Sequence, residues 1–152
     1  MKLSELDLKP QWDTDYDDVL NDFYIKVLTH AKRYDRQTFT FSSSLLAFAA
    51  KGLDGLIKGG GDMRLIVGDE IQEEDYNAIV DGDKLTRYKE QCLDKLKTIL
   101  EGAMENRLHS HRAEILKYLI GSNRLEIKFA LMKSGDGVSH GKVGIIHGLD
   151  HE

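Results

Sequence analysis

Apolar and polar residues recur along this chain with two different periods, which predict helices and strands. Apolar residues at i, i+3, i+4 and i+7 over residues 16–28 predict a helix that is capped by Asp13 or Thr14 and ends within residues 31–34. Residues 38–41 alternate and predict a strand, and residues 44–57 predict a helix that stops at the glycine run 59–61. The run "MRLIVGDE" is typical of a strand buried on both faces.

This strand, helix, strand unit predicts parallel pairing of its two strands. Helices are then predicted over residues 73–80, 84–104 and 108–120. The strands "LEIKFALM" and "KVGIIHG" follow, and the glycine-rich "KSGDGVSHG" between them predicts a hairpin. We therefore expect an α/β fold, a mixed β-sheet flanked by helices, in a single domain over residues 1–152.

Composition narrows the class of protein. With 41% apolar residues, 31% charged residues and one proline, the 152-residue chain is expected to fold. Its single cysteine, Cys92, lies in a helical pattern and is expected to be a half-buried apolar residue, which indicates a reducing, cytoplasmic compartment. No segment resembles a membrane span or a signal peptide. A net charge of -5 argues against an overall basic nucleic-acid binder, although a local basic patch stays compatible with it.

The segment "VSHGKVGII" places a histidine and a lysine at the start of the last predicted strand. In an extended strand, residues i and i+2 point to the same face, so His140 and Lys142 are expected to project together. A histidine can attack phosphorus or give up a proton, while a lysine balances charge on the phosphate oxygens. Two interpretations compete: a phosphate-handling site, or an ordinary hairpin with polar residues at its edge.

The order of the segments resembles the phospholipase D-like superfamily, and in particular the N-terminal module of bacterial helicase and DNA-defence proteins. The resemblance covers a helix, the strand and serines of "FTFSSS", an alanine- and glycine-rich helix, a glycine-rich turn, the strand "MRLIVG" and, after further helices, "SHGKVGII". It implies phosphodiester hydrolysis without a metal or other cofactor. It assigns His140 as the nucleophile or the acid and Lys142 as the phosphate clamp.

The chain also departs from the superfamily's pattern. The signature continues with four residues and an aspartate, and His147 stands at that position, three residues before Asp150. The superfamily's complete site uses two His-x-Lys motifs. The resemblance therefore implies either a homodimer or a longer polypeptide that carries a helicase domain, and we favour the second. DNA is the implied partner, and no membrane is expected.

Other polar segments have competing explanations. The hydroxyls and amides of Ser42, Ser43 and Ser44 could contact a phosphate as substrate-binding groups, but helix capping by Ser43 or Ser44 is the simpler role. The segment "KGGGDMR" precedes a strand and lacks the end of a P-loop, which favours a turn with positive φ. In "LHSHR", His109 and His111 would not share a helix face, so a metal site is not expected.

Two further functional hypotheses follow from the same residues. The substitution of His147 for the aspartate is compatible with an inactive module that binds DNA or docks onto a protein. A lipid-hydrolysing enzyme is disfavoured, because no amphipathic helix has the basic and aromatic balance of a membrane binder.

Overall fold

A mixed four-stranded sheet is the centre of the fold in the computed structural model, which describes residues 1–102, 108–130 and 141–149. The strands lie in the order β3-β2-β1-β4. Their bounds are β1 (Arg33–Phe41), β2 (Asp62–Ile71), β3 (Leu125–Phe129) and β4 (Val143–His147). The predicted α/β class with a mixed sheet is confirmed, since β1, β2 and β3 run parallel and β4 runs antiparallel to β1.

The helices connect the parallel strands. A π-helix (Val19–Ile25) continues into α1 (Lys26–His30), before β1. Between β1 and β2 lie α2 (Ser44–Phe48) and α3 (Ala50–Lys58). Between β2 and β3 lie α4 (Glu73–Lys84), α5 (Lys89–Gly102) and α6 (Arg112–Gly121), with short 3-10 turns at Leu3–Glu5, Thr86–Tyr88 and His109–His111.

The predicted parallel strand, helix, strand unit is confirmed, with Tyr34 of β1 opposite Met63 of β2. The helix between them is interrupted at Ala49, whose φ of -87° and ψ of 14° are not helical. It ends at the predicted glycine run, where Gly60 adopts a φ of +79°. That backbone conformation costs a glycine little and other residues more, so the prediction of a positive-φ turn is confirmed.

Strand β2 is buried on one face only, so the predicted burial on both faces is wrong. Met63, Leu65 and Val67 are buried against the helices on what we call the inner face, while Arg64 and Ile66 point to the opposite, outer face. Ile66 is 46% exposed. In the part of the chain that the structure describes, the helices therefore cover one face of the sheet. The prediction failed because a short apolar run occurs both in strands buried on one face and in strands buried on two.

Strands β3 and β4 lie at opposite edges of the sheet, so the predicted hairpin is wrong. β3 pairs in parallel with β2, with Met63 opposite Leu125, whereas β4 pairs antiparallel with β1, with Tyr34 opposite Ile146. The helices between β2 and β3 form a second crossover, which adds β3 in parallel beside β2. The other edge of β1 then stays open for β4. Residues 131–140, most of the predicted turn, lie outside the described residues.

The first helix begins later than predicted, because Asp18 caps it instead of Asp13 or Thr14. The Asp18 carboxylate accepts the backbone N–H of Asn21 at 3.1 Å, while Tyr16 is 89% exposed and precedes the helix. The chain leaves the helix at His30 and enters β1 at Arg33, five residues before the predicted strand. Pairing with β2 explains the longer strand, because it satisfies the backbone N–H and C=O groups of residues 33–37. The side-chain pattern of these residues did not predict a strand.

The core lies between the inner face and the helices. Its fully buried side chains come from α3, α5, α6 and β2 and include Leu56, Leu96, Ile115, Leu116 and Val67. Cys92 is 3% exposed, so it is an apolar packing residue as predicted but is buried more deeply than the expected half-buried position. Among the described residues, no helix is long and apolar enough to cross a bilayer.

Candidate functional site

Lys142 lies immediately before β4 and is exposed. The first residue of β4, Val143, pairs with Gln37, and β4 runs antiparallel to β1. The amino end of β4 is therefore beside the carboxyl half of β1. Gly141 approaches Gln37 so closely that an added Cβ would lie 2.8 Å from its Nε2. His140, the predicted nucleophile or acid, lies outside the described residues.

A groove opens beyond the carboxyl ends of β1 and β2. Its volume is about 650 Å³. In parallel α/β sheets, ligands usually bind outside the carboxyl ends of the strands, which makes this edge the first place to seek a site. The groove includes one of the predicted substrate-binding serines and one carboxylate, and its lining is Thr40, Phe41, Ser42, Leu45, Glu70, Ile71 and Gln72.

Ser43 belongs to a buried polar network. Its hydroxyl donates to Asp75 Oδ1 at 2.5 Å, and its backbone N–H donates to Asp75 Oδ2 at 2.9 Å. Asp75, in the first turn of α4, is 0% exposed. Arg112 Nη1 donates to the Ser43 hydroxyl at 3.1 Å and lies 3.5 Å from Asp75 Oδ1. These contacts join the loop after β1 to α4 and α6, so the structure assigns Ser43 a role in positioning that loop.

The other two serines are half-buried and lie on either side of Ser43. Ser42 Oγ accepts the backbone N–H of Ser44 at 3.3 Å, and the Ser42 carbonyl accepts the N–H of Leu45 at 3.1 Å. No side chain caps α2, so the expected helix capping by Ser43 or Ser44 is wrong. Because the amides of Ser43, Ser44 and Leu45 are engaged within the chain, only the hydroxyls of Ser42 and Ser44 remain for contact with a ligand.

Arg36 is a charged residue near the middle of β1 that the sequence analysis missed. It follows Tyr34 on the inner face of β1 and is half-buried. Its Nη1 donates to the Tyr34 hydroxyl at 3.2 Å. Among the described residues, no carboxylate pairs with Arg36. The signal that could have identified Arg36 is its positive charge. Arg36 alternates in sequence with Tyr34 and Thr38, which face inward, so a charged side chain is unexpected at this position.

His147 occupies the position of the superfamily's aspartate and lies at the other end of β4 from Lys142, about 13 Å from Val143 at ~3.3 Å per residue. Its Nε2 is 3.2 Å from Asp35 Oδ2. Asp35 also accepts a hydrogen bond from Arg64 Nε at 2.7 Å. Arg64 first, and His147 to a lesser degree, hold the pKa of Asp35 below its usual range. His147 thus joins a charged cluster far from Lys142.

The chain contains another His-x-Lys tripeptide, His30-Ala31-Lys32, which the sequence analysis also missed. His30 ends α1, and its Nδ1 lies 2.9 Å from the carbonyl oxygen of Lys26. Lys32 Nζ donates to the carbonyl of Gly59 at 2.6 Å. This tripeptide precedes β1, so it lies at the amino end of the parallel strands, opposite to Lys142. It does not complete a two-motif site with Lys142 within one chain.

His109 and His111 lie in a 3-10 turn, and His111 Nδ1 is 2.7 Å from Glu114 Oε2. Over residues 1–102, 108–130 and 141–149, no three histidine, cysteine, aspartate or glutamate side chains are grouped so as to hold a metal ion.

The structure thus brings Ser42, Arg36 and Lys142 toward one edge of the sheet and removes Ser43 into a buried network. Comparisons of the chain with protein-family models, curated proteins and solved structures found no match.

Proposed function

We propose that this chain is a phospholipase D-like phosphodiesterase module that hydrolyses the nucleic-acid backbone, with DNA as its substrate. The proposal assigns His140 as the nucleophile or the acid and Lys142 as the phosphate clamp. Its partners are a helicase domain in the same polypeptide or a second copy of the chain. Either one would supply the second His-x-Lys motif.

One observation carries the proposal: the amino end of β4 lies beside the carboxyl half of β1. Lys142 therefore approaches the edge of the sheet where the groove lined by Ser42 opens. The predicted hairpin between the last two strands is wrong, yet the antiparallel pairing of β4 with β1 delivers Lys142 to this edge. Lys142 is exposed and, among the described residues, has no hydrogen-bond or ion-pair partner, so its ammonium group is available to an anion.

The chemistry requires two histidines. One imidazole attacks phosphorus and forms a P–N bond as the P–O bond to one ester oxygen breaks, and that oxygen leaves with a proton from the second histidine. Water then attacks the phosphohistidine and gives a proton to the second histidine, while the P–N bond breaks and releases the first imidazole. Lys142 balances the charge that develops on the phosphate oxygens. The Glu70 carboxylate in the groove would repel a phosphate. The phosphate is therefore expected to lie closer to the side chains of Arg36 and Lys142.

A nuclease assay in EDTA tests the proposal. Labelled single-stranded and duplex DNA would be incubated with the chain over a range of concentrations that spans self-association, and the acid-labile protein–DNA adduct would be measured beside the products. We expect cleavage to rise with dimer formation and to be lost in His140→Ala. His109→Ala, which changes an exposed histidine outside the lining of the groove, is the matched control. Absence of both cleavage and adduct at every concentration would contradict catalysis by a homodimer, and cleavage that His140→Ala leaves unchanged would contradict the role assigned to His140.

The geometry of His147 favours a second candidate, a non-catalytic module that binds DNA or docks onto a protein. At the signature's aspartate position the chain has a histidine that contacts Asp35 on the outer face. Measuring DNA binding against salt concentration separates the two non-catalytic roles, because phosphate contacts give a steep salt dependence and protein docking does not require one.

A further inference from the structure

Arg36 stands out among the arginines of the parallel strands because no acidic residue in the described part of the chain pairs with it. Arg33 donates to both oxygens of Asp62, at 2.8 and 2.9 Å, and Arg64 pairs with Asp35. Arg36 contacts only the Tyr34 hydroxyl among the described residues, although it is half-buried on the inner face. Charged groups that lose water are usually paired, so this guanidinium is available to an anion that is not part of the chain.

Lys142 supplies a second cation on the same side. Gly144 of β4 lies opposite Arg36, and an added Cβ on Gly144 would point at the ring of Tyr34, 3.2 Å from Cε2. Alternation along the strand places Lys142 on the same face as Gly144. Lys142 is thus a diagonal neighbour of Arg36 across the two strands, at a separation of about 7–8 Å. This separation is between backbone positions, and it lets the two long side chains converge on one phosphate group.

An apolar cavity of about 110 Å³ adjoins Arg36 beneath the sheet. Tyr24, Tyr34 and Phe41 contribute aromatic surface, and the hydroxyl of Thr38 is already used in a bond to the carbonyl of Thr40 at 2.9 Å. The guanidinium of Arg36 is therefore the polar group available to a ligand. Cavities of roughly 150 Å³ with apolar walls accept a benzene ring, so this smaller volume has room for at most one compact ring.

The cavity borders the groove at the carboxyl edge. Leu45 and Phe41 line both, and Leu45 is 48% exposed. A large apolar side chain exposed at the boundary of an apolar cavity marks an entrance, because a ligand ring would cover it. A ring in the cavity would thus have a direct path to an anionic group held outside at Arg36 and Lys142.

We propose that the cavity, Arg36 and Lys142 form one binding site for a phosphate ester that carries a single compact planar ring. The ring occupies the cavity, Arg36 binds the phosphate through its fork of N–H donors, and Lys142 adds a second charge. The site requires neither His140 nor hydrolysis, so it goes beyond the proposed function. Where that function also holds, the ring is a pyrimidine base of a single strand and the phosphate is its backbone.

Calorimetric titration of the purified chain with phenyl phosphate, inorganic phosphate and phenol tests the site. We expect phenyl phosphate to bind at least about tenfold more tightly than inorganic phosphate or phenol, because it uses both halves of the site. Arg36→Gln should weaken phenyl phosphate binding by about tenfold or more. Arg87→Gln, an exposed arginine on a distant turn, is the matched control and should leave binding unchanged.

Equal affinities for phenyl phosphate and inorganic phosphate, or equal losses in Arg36→Gln and Arg87→Gln, would overturn the site. Lys142→Gln changes an exposed residue and supplies the same test if Arg36→Gln does not fold. Leu45→Trp, which covers the entrance, should weaken phenyl phosphate and leave inorganic phosphate binding unchanged.

Competition with oligonucleotides identifies the natural source of the ester. If oligo-dT displaces phenyl phosphate more effectively than oligo-dA, the ligand is a nucleic-acid strand; if neither displaces it, the ligand is a free ester. Both outcomes retain the site, provided that phenyl phosphate binds as expected. A chain that binds phenyl phosphate but never cleaves DNA keeps this site and loses the proposed catalysis, so the two failures are distinguishable.

Discussion

The substitution Asp75→Asn removes the charge at the centre of the most deeply buried polar network of the described residues. Asp75 is 0% exposed and accepts two hydrogen bonds from Ser43, while Arg112 lies 3.5 Å away. A hydrogen bond to a charged group contributes about 1.5–3 kcal/mol, and breaking a buried ion pair costs about 3–5 kcal/mol. Asparagine keeps one acceptor oxygen, and Arg112 also pairs with Glu74. We therefore expect the free energy of unfolding to fall by about 2–3 kcal/mol.

Urea unfolding followed by circular dichroism measures this loss. With an m-value of about 2 kcal/mol/M, the midpoint should fall by about 1–1.5 M at constant m. Asp81→Asn is the matched control, because Asp81 lies in the same helix, is 60% exposed and pairs with Lys84. Its effect should stay within about 0.5 kcal/mol. If Asp75→Asn is no more destabilising than Asp81→Asn, the network does not hold the loop after β1 in the way that we infer.

Three further predictions concern the outer face, the helix packing and the core. Arginine partners lower the pKa of Asp35 and of Asp62 in the folded chain. These carboxylates therefore contribute their full stabilisation above their unfolded pKa of about 4. The stabilisation is lost as the pH falls through the folded pKa. The double variant with asparagine at both positions should flatten the pH dependence of the urea midpoint below pH ~4, and an unchanged slope would contradict this. Gly52→Ala should lower the free energy of unfolding by about 1–3 kcal/mol, because the added Cβ would lie 2.9 Å from a backbone carbon of the first helix. In the control Gly102→Ala, the added Cβ meets nothing within 4 Å, so the fold should not be destabilised. Equal effects of the two variants in thermal melts would refute the close contact at Gly52. Burial raises the pKa of Cys92, so a thiol reagent should label it only on unfolding, and rapid labelling of the native chain would disprove its burial.

Local patterns predicted those parts of the fold that depend on neighbouring residues. The helices around residues 44–57 and 108–120 and the parallel strand pair were predictable, because apolar spacing and glycine stops act within one or two turns. The helix start at Asp18 was not, since several nearby acids could cap equally well by sequence. Of the candidate site, Lys142 could be named from its motif. That no carboxylate of the described residues pairs with Arg36 is a property of the folded chain.

By itself, the sequence determined that this is an α/β protein with a parallel strand pair and a His-x-Lys tripeptide before its last strand. Only the tertiary structure decided that β4 pairs with β1 at the opposite edge from β3. A glycine-rich connection is compatible with a hairpin or a crossover, and long-range backbone pairing selects between them. Because β4 runs antiparallel to β1, the segment before β4 lies toward the carboxyl ends of the parallel strands. This pairing makes Lys142 a cross-strand neighbour of Arg36, which is more than one hundred residues away along the chain.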